Sequence, residues 1–204
     1  MKKLLSAVIL GSALVWSGAA TAADIQLPAP QISGGMPIMD AFAARHSNSK
    51  FSDEKLSLQD VSNVCWAACG INRPDGKRTI PTKKNAQLIA LYVVLPDGVY
   101  LYNAKDNVLV QKLEGEDYIK LYKNGAPALL LHAAPADNEF SRFHIGSMYM
   151  NAALYCASAG LNNKMKERET EKLEGKLILP EGWKIFIVQT LGHPAMKTDD
   201  GKKK

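Results

Sequence analysis

Two polar stretches contain the residues of this chain that could bind a ligand. The first runs from Arg78 to Gln87, between an apolar helical pattern and an apolar run typical of a strand. Pro81 fixes its own φ and biases the residue before it towards an extended conformation. Thr82 then offers a hydroxyl and Asn85 an amide, and a stiffened polar loop between apolar elements is a common position for a ligand. An exposed connector would have the same composition, and composition alone favours that interpretation.

The second stretch, residues 45–51, combines cationic and small polar side chains at the end of a helical pattern: Arg45, His46, Ser47, Asn48, Ser49, Lys50 and Phe51. A guanidinium fork flanked by hydroxyl groups suits a phosphate, because it supplies charged donors beside short neutral ones. Alternatively, these cations only complement the dipole at the C-terminus of a helix. Taken alone, the stretch favours the second interpretation.

The first 22 residues have the pattern of a secretory signal peptide. Residues 1–3 are basic, residues 4–16 are apolar, and Ala-Thr-Ala at 20–22 resembles a cleavage signal. The apolar segment is too short for a spanning helix, although an uncleaved anchor remains the alternative. We therefore expect residues 1–22 to be removed and the mature protein to be periplasmic. No later stretch is long and apolar enough to predict a membrane span.

The charge of the mature chain argues against a nucleic-acid partner. Loss of residues 1–22 removes two lysines and no acid, which lowers the formal net charge from +5 to +3. Three of the remaining cations are the C-terminal lysines at 202–204, so the body of the protein is close to neutral. Nucleic-acid binding requires a dense basic surface. The length that remains predicts one domain with a substantial core.

Hydrophobic periodicity predicts an α+β fold in which helices accompany a meander of antiparallel strands. Apolar residues recur at helical spacing over residues 38–44, 58–69 and 143–159. Ser57 and Asp60 form a capping box before the second of these helices. Strands are predicted over residues 88–95, 99–102, 108–113, 128–132 and 184–191. Residues 24–35 are predicted to be an extended arm, and the charge-rich residues 162–176 a solvated helix.

Four further polar or reactive residues have competing interpretations. Cys65, Cys69 and Cys156 lie in helical patterns with small neighbours, which favours buried small hydrophobes over a redox pair. The histidines lack the spacing of metal ligands, so no metal site is predicted. Asn151 lies within the long apolar helix, where it is either a hydrogen-bonded core amide or a contact near a ligand.

In their order along the chain, these motifs resemble the nitroreductase family, in its azoline-oxidase-like or SagB-type branch. The N-terminal stretch is similar to the flavin-phosphate motif of that family, and the loop to its P-S-x-x-N-x-Q motif. The other similar segments are Trp66-Ala-Ala-x-Gly-Ile-Asn-Arg73, Asn151-x-x-Leu154 with Gly160-Leu161, and Gly192-His193-Pro194. The resemblance extends over most of the mature chain.

The resemblance implies a dimeric nitroreductase-like fold over residues 23–204, with a central antiparallel or mixed sheet flanked by helices. It implies that FMN binds noncovalently between two subunits and exchanges hydride and electrons with a small-molecule acceptor. The helix at 143–159, apolar on more than one face, is the expected seam of the homodimer. The residues implied to bind FMN are Arg45, His46, Ser47 and Ser49 at the phosphate, and Pro81, Thr82, Asn85 and Gln87 near the ring or ribityl chain.

Three positions depart from the family pattern. Ser49 stands where a second cation is usual, Thr82 replaces a serine, and Lys83 places a charge near the expected flavin. We therefore carry two functional hypotheses: an FMN-dependent oxidoreductase, or an exported protein that retains the fold and binds a small molecule or partner with weak or no flavin. Because NAD(P)H is a cytoplasmic reductant, an exported member would either take electrons from another source or lose activity.

Overall fold

The computed structural model describes residues 23–115, 117–123, 125–166 and 169–195. The predicted signal peptide and the C-terminal lysines lie outside these residues. In chain order the elements are β1 (Ile25–Gln26), α1 (Ile38–Ala44), α2 (Leu58–Cys69), β2 (Ala90–Leu95), β3 (Gly98–Asn103), β4 (Val108–Glu114), α3 (Asp117–Lys120), β5 (Ala128–Pro135), α4 (Ser141–Ala159), β6 (Asn162–Lys166) and β7 (Trp183–Gly192).

The described strands form a sheet of order β1-β4-β3-β2-β5-β7-β6. Each neighbouring pair is antiparallel. Strands β2, β3 and β4 form the predicted meander, and β5 continues the sheet from the other side of β2. Strand β7 then lies between β5 and β6. The predicted α+β fold with an antiparallel sheet is confirmed.

The sheet is buried on both faces, and its strands divide their side chains between two cores. Alternate residues such as Leu91 and Leu130 face α2 and α4, where Val64 and Met148 are fully buried. Their strand neighbours face a second cluster that includes Leu173, from the segment before β7. The alternation follows from the two-residue period of a strand. Helix α4 is therefore fixed across the sheet and provides a rigid base for the loops at its ends.

The ends of the main helices follow from their sequence. Ser57 Oγ accepts the Asp60 N–H at 3.0 Å, and Asp60 Oδ2 accepts the Ser57 N–H at 3.2 Å, which confirms the predicted capping box. Helix α4 begins at Ser141, two residues before the predicted start at residue 143. It ends at Gly160, whose φ of +69° is a left-handed conformation that glycine adopts without strain.

Two predicted elements were wrong in part. In the described part of residues 162–176 there is no solvated helix: Asn162–Lys166 is a strand paired with β7, and Leu173 of the turns over residues 169–176 is buried. The sequence Asn-Asn-Lys-Met-Lys has no strand pattern of its own, so pairing with β7 determines its conformation. The strand predicted from residue 88 begins at Ala90, because Gln87 has a φ of +51° and the loop is still turning there.

The three cysteines are buried and unbridged, as predicted. Burial raises the pKa of the Cys69 and Cys156 thiols to about 12, so both stay protonated and unreactive near neutral pH. Across the described residues, no helix has the length and apolar character needed to span a membrane. The same residues contain no cluster of His, Cys, Asp and Glu side chains suited to a metal ion.

Candidate functional site

Residues 45–51, which we call the Arg45 segment, follow α1 and lie against the ends of β6 and β7. Backbone hydrogen bonds hold the segment in place: the Asn48 N–H donates to the Asn163 carbonyl at 2.9 Å. The Asn162 side chain donates to the Lys50 carbonyl at 2.7 Å. These contacts fix the backbone of the segment without using the Arg45 side chain.

Gly192 allows Phe51 to pack closely at the end of this segment. A Cβ atom at Gly192 would lie 2.8 Å from the Phe51 ring and 2.6 Å from Pro127, closer than side chains tolerate. Phe51 also forms a β-bridge with Pro194. Packing of the Arg45 segment therefore gives a physical reason for the Gly-His-Pro sequence.

The side chains of the Arg45 segment remain available to a ligand. Arg45 and Ser49 are half-buried and Ser47 is exposed, and none of the three forms a side-chain hydrogen bond with another described residue. His46 Nδ1 lies 2.9 Å from the Ala44 carbonyl, which can only accept, so Nδ1 carries the proton. The neutral ring then presents Nε2 as an acceptor, and His46 can donate to an anion from Nε2 only when protonated.

A buried polar chain supports the Arg45 segment from inside the sheet. Gln189 Nε2 donates to Asn163 Oδ1 at 3.2 Å, so its oxygen faces His132 Nε2 at 3.1 Å and accepts the proton of that nitrogen. Asn163 in turn accepts the Asn48 N–H. Desolvation lowers the pKa of His132 to about 4, against a smaller opposing effect of its bond to Gln189. The ring is therefore neutral at neutral pH.

Residues 78–87, which we call the Pro81 loop, contain an unusual concentration of left-handed backbone. Lys84, Asn85 and Gln87 have φ values of +50°, +55° and +51°. Such conformations cost non-glycine residues about 1–2 kcal/mol each, and they cluster at functional sites. The surrounding contacts must therefore hold this loop in one shape.

The Gln87 amide provides most of those contacts. Its oxygen accepts from Arg78 Nε at 2.6 Å, and its nitrogen donates to the Gly76 carbonyl and to Asn85 Oδ1, both at 3.1 Å. The Gln87 N–H donates to Thr82 Oγ1 at 3.2 Å. Gln87 thus holds the loop together, while the Thr82 hydroxyl hydrogen and the Asn85 NH₂ group remain free to donate to a ligand.

Lys83 connects the Pro81 loop to the first turn of α4. Its N–H donates to His144 Nε2 at 3.1 Å, so the neutral His144 ring carries its proton on Nδ1. His144 Nδ1 is buried without a partner among the described residues, and burial lowers the pKa of this ring. The Lys83 ammonium lies 3.4 Å from the Glu139 carboxylate and 3.6 Å from the Phe140 ring centroid. Its charge is therefore occupied by these two side chains.

Pro81 borders a groove of about 500 Å³ beside the first half of α4. Asn151 also lines this groove, and its side chain donates to the Ala67 carbonyl of α2 at 3.1 Å. The amide is thus both a packing contact between helices and part of the groove surface. The other lining residues are Thr79, Ile80, Arg142, Phe143, Gly146, Ser147 and Met150.

The two predicted halves of the ligand site meet opposite ends of α4. The Pro81 loop contacts His144 in the first turns, whereas the Arg45 segment contacts Asn163, just beyond Gly160. The helix rises about 24 Å from His144 to Gly160, at about 1.5 Å per residue. A single chain therefore brings together the residues of each stretch, but it does not bring the two stretches together.

An uncovered apolar surface lies on α1 and α4, between these two ends. Phe143 is 61% exposed and Met39 is 72% exposed, although both are large apolar side chains on regular helices. Helices α1 and α4 pack against each other, and exposed apolar side chains on neighbouring helices are typical of interaction sites. The large exposed apolar side chains on these two helices are Ile38, Met39, Phe42, Phe143 and Met150.

The fold and these motifs agree with comparisons to known proteins. The model of the nitroreductase family matches residues 42–193, which include both stretches and all of α4. The chain belongs to the nitroreductase family.

Individual relatives agree with this assignment. A candidate nitroreductase of Ralstonia eutropha has a solved structure that is 30% identical in sequence, with a TM-score of 0.77 over 95% of this chain and 96% of its own. A candidate nitroreductase of Methanocaldococcus jannaschii is 25% identical over 79% of this chain and 97% of its own length. A Bacteroides fragilis nitroreductase with bound FMN is 12% identical, with a TM-score of 0.58 over 83% of this chain and 94% of its own.

Sequence reasoning missed three features of this region. It did not single out Arg142, the contact between Lys83 and Phe140, or the chain from His132 to Asn163. The sequence contains a signal for the first two features, because Arg142 and His144 stand at the start of an otherwise apolar helix. The third joins residues from three strands, so it has no local signature.

Proposed function

We propose that this protein is an FMN-dependent oxidoreductase that passes electrons through the flavin to a small-molecule acceptor, and that it works as a homodimer. One observation carries the proposal. Two sets of hydrogen-bond donors lie at opposite ends of α4, with an uncovered apolar surface between them.

Pairing of two copies through α1 and α4 would complete the site. If a two-fold axis crosses α4 so that the two helices run antiparallel, the Arg45 segment of one copy approaches the Pro81 loop of the other. The same pairing would bury the apolar surface that Phe42, Phe143 and Met150 expose in a single chain. It agrees with the expectation that α4 forms the seam.

The available donors have the chemistry that FMN requires. The guanidinium of Arg45 and the hydroxyls of Ser47 and Ser49 suit a phosphate, and neither stretch contains an acidic residue that would repel it. The Thr82 hydroxyl and the Asn85 NH₂ group suit the carbonyl and nitrogen acceptors of a flavin ring. The Bacteroides fragilis protein of the same fold binds FMN, which supports this choice. When bound, FMN would accept hydride and release electrons.

The chain itself would supply binding and orientation. Arg45 would neutralise the phosphate, and His46 would add a contact when protonated. Gln87 would keep the Pro81 loop in its strained shape, so that Thr82 and Asn85 need no rearrangement on binding. The contact of Lys83 with the Phe140 ring would keep the Lys83 ammonium group away from the flavin ring.

We further propose that the protein acts in the periplasm after loss of residues 1–22. The support is the three-part signal pattern of the N-terminus. The protein would then draw electrons from a donor other than cytoplasmic NAD(P)H. An intact mass that begins after Ala22 is the expected result for exported protein, and retention of Met1 would oppose it.

A titration of flavin fluorescence with FMN and with riboflavin tests the proposed site. Arg45→Ala should weaken FMN about 10- to 100-fold, because a hydrogen bond to a charged group contributes about 1.5–3 kcal/mol. Riboflavin lacks the phosphate and should change little. Ser49→Arg should tighten FMN, and Lys112→Ala, an exposed cation on β4, serves as the matched control.

The same titration separates the two hypotheses. Equal losses for both flavins in Arg45→Ala would place the phosphate elsewhere. Failure of the unaltered protein to bind either flavin would favour the second hypothesis, a protein that retains the fold and binds another small molecule or partner.

A further inference from the structure

A second cavity of about 500 Å³ lies between the first turn of α4, the start of β7 and the turns that precede β7. Its volume is within the range of small-molecule sites. Arg142 lines both this cavity and the groove beside the Pro81 loop. None of its lining residues is among those proposed to bind FMN, so the cavity is separate from the proposed flavin site.

A β-bulge directs an aromatic ring to this cavity. His132 of β5 pairs with Ile187, and the next residue, Ala133, pairs with Ile185, so Phe186 is an extra residue in β7. Bulges of this kind re-aim a side chain and are frequent beside active sites. The Phe186 ring lines the cavity, together with Trp183 from the start of the same strand.

Two cations converge on the Phe186 ring. The guanidinium carbon of Arg142 lies 5.5 Å from the ring centroid, and the ammonium nitrogen of Lys184 lies 4.8 Å from it. No carboxylate in the described part of the chain forms an ion pair with either cation. Like charges that share one ring repel each other. An anion between Arg142 and Lys184 would remove that repulsion.

The position of Arg142 also favours an anion. It lies in the first turn of α4, where the helix dipole disfavours a cation, and this turn contains no acidic residue. Leu173 and Leu177 are buried at the wall of the cavity and give part of it an apolar surface. Two acidic residues, Glu171 and Glu174, also line the cavity, and their side chains are solvent-exposed, as are those of Arg142 and Lys184.

We propose that this cavity binds a small aromatic carboxylate. The carboxylate lies between Arg142 and Lys184, where it accepts charge-assisted hydrogen bonds. The ring of the ligand packs against Trp183, Phe186 and the buried leucines. Through Arg142 this ligand is adjacent to the groove beside the Pro81 loop.

Calorimetric titration of the purified protein with benzoate tests this site, with benzyl alcohol, benzylamine and cyclohexanecarboxylate as matched probes. Benzoate should bind most tightly of the four. Lys184→Ala and Arg142→Ala should each weaken benzoate about 10-fold or more. Lys184→Arg should retain most of the affinity, and Lys172→Ala, an exposed cation that does not line the cavity, should retain all of it.

The outcomes that overturn the proposal are distinct from failure of the flavin site. Benzylamine or cyclohexanecarboxylate equal to benzoate would exclude an aromatic carboxylate as the ligand class, as would unchanged affinity in both Lys184→Ala and Arg142→Ala. Lys184→Ala should leave FMN affinity within about twofold, and Arg45→Ala should leave benzoate unchanged. Loss of benzoate binding in Arg45→Ala would instead move the anion to the Arg45 segment and overturn the assignment.

Discussion

The two ends of α4 present ligand-binding groups in opposite ways. At the C-terminal end, hydrogen bonds to its backbone fix the Arg45 segment, and the side chains of Arg45, Ser47 and Ser49 form no hydrogen bond with another described residue. At the N-terminal end, the side chains of Arg78 and Gln87 hold a strained backbone, which leaves few side-chain donors unused. A change at the first end should therefore alter ligand affinity, whereas a change at the second should alter stability as well.

The comparison also explains why each end is incomplete alone. The Arg45 segment offers a cation and hydroxyls without a surface for a ring. The Pro81 loop borders a groove, and the ammonium group of its Lys83 contacts Glu139 and Phe140. Since the length of α4 separates the two ends in one chain, the proposed flavin site requires a second copy to unite them.

The largest expected effect is the loss of that second copy. Phe143→Asp places a charge on the uncovered surface of α4 and should dissociate the dimer. A buried aromatic anchor contributes about 2–4 kcal/mol, and the substitution occurs twice in a two-fold dimer. Light scattering at micromolar concentration should report a dimer for the unaltered protein and a monomer for Phe143→Asp. Ile178→Asp, at a position that is 90% exposed outside α1 and α4, is the matched control.

The second largest effect is expected from acid, which should weaken the support that His132 gives to the Arg45 segment. The pKa of His132 is about 4 in the folded protein and about 6.5 when exposed, so the unfolded chain binds more protons between these values. The contribution of this neutral ring is complete above pH 6.5 and is lost as the pH falls to 4. It amounts to about 3 kcal/mol, at about 1.4 kcal/mol per pH unit.

Urea denaturation from pH 7 to pH 4 measures this effect. His132→Gln removes the titrating ring, so the free energy of unfolding should fall less steeply with pH than in the unaltered protein. Identical slopes for the two proteins would show that His132 does not carry the pH dependence.

Gln87→Ala, in the Pro81 loop, should lower the free energy of unfolding more than a substitution in the Arg45 segment does. It removes the acceptor of the half-buried Arg78 Nε and releases the strained loop, at a cost of about 2 kcal/mol. Ser47→Ala, at the other end of α4, should change the free energy of unfolding by less than about 0.5 kcal/mol. Chemical denaturation of both variants checks the contrast, and equal costs would contradict it.

The smallest expected effect is relief of strain in the loop. Lys84→Gly replaces a side chain at a φ of +50° and should stabilise the protein by about 0.5–1 kcal/mol, because glycine adopts this conformation without a clash. Ala43→Gly in α1, where φ is helical, should destabilise it by about 1 kcal/mol. Thermal denaturation measures both variants. Midpoints that shift in the same direction would contradict the claim that the backbone at Lys84 is strained.

Local patterns predicted most of the fold. Helical spacing located α1 and α2 at their observed ends. Apolar runs located β2, β3, β4 and β7 to within two residues and β5 to within three. Asn162–Lys166 was missed because its strand conformation depends on pairing with β7 rather than on its own residue types. The bulge at Phe186 and the polar chain from His132 to Asn163 were missed for the same reason, since both arise between strands.

The sequence located both stretches of the candidate site but did not give their relative positions in the fold. Their composition predicted phosphate and ring contacts, and the resemblance implied a site between subunits. Gln87 forms its hydrogen bonds within its own loop because the backbone is left-handed at Lys84, Asn85 and Gln87. Their residue types do not indicate this conformation. The sequence does not show that the length of α4 separates the two stretches. This separation follows from the positions of His144 and Asn163 near the two ends of the helix.

Mixed dimers provide the most direct test of the central claim, that the Arg45 segment of one copy and the Pro81 loop of the other form one site. Arg45→Ala would be mixed with the double variant Thr82→Val, Asn85→Ala, and the heterodimer isolated by two affinity tags. A site between chains predicts one tight FMN site per heterodimer, because one of its two sites contains no substitution. A heterodimer without any tight site, with both parent proteins folded, would contradict the account.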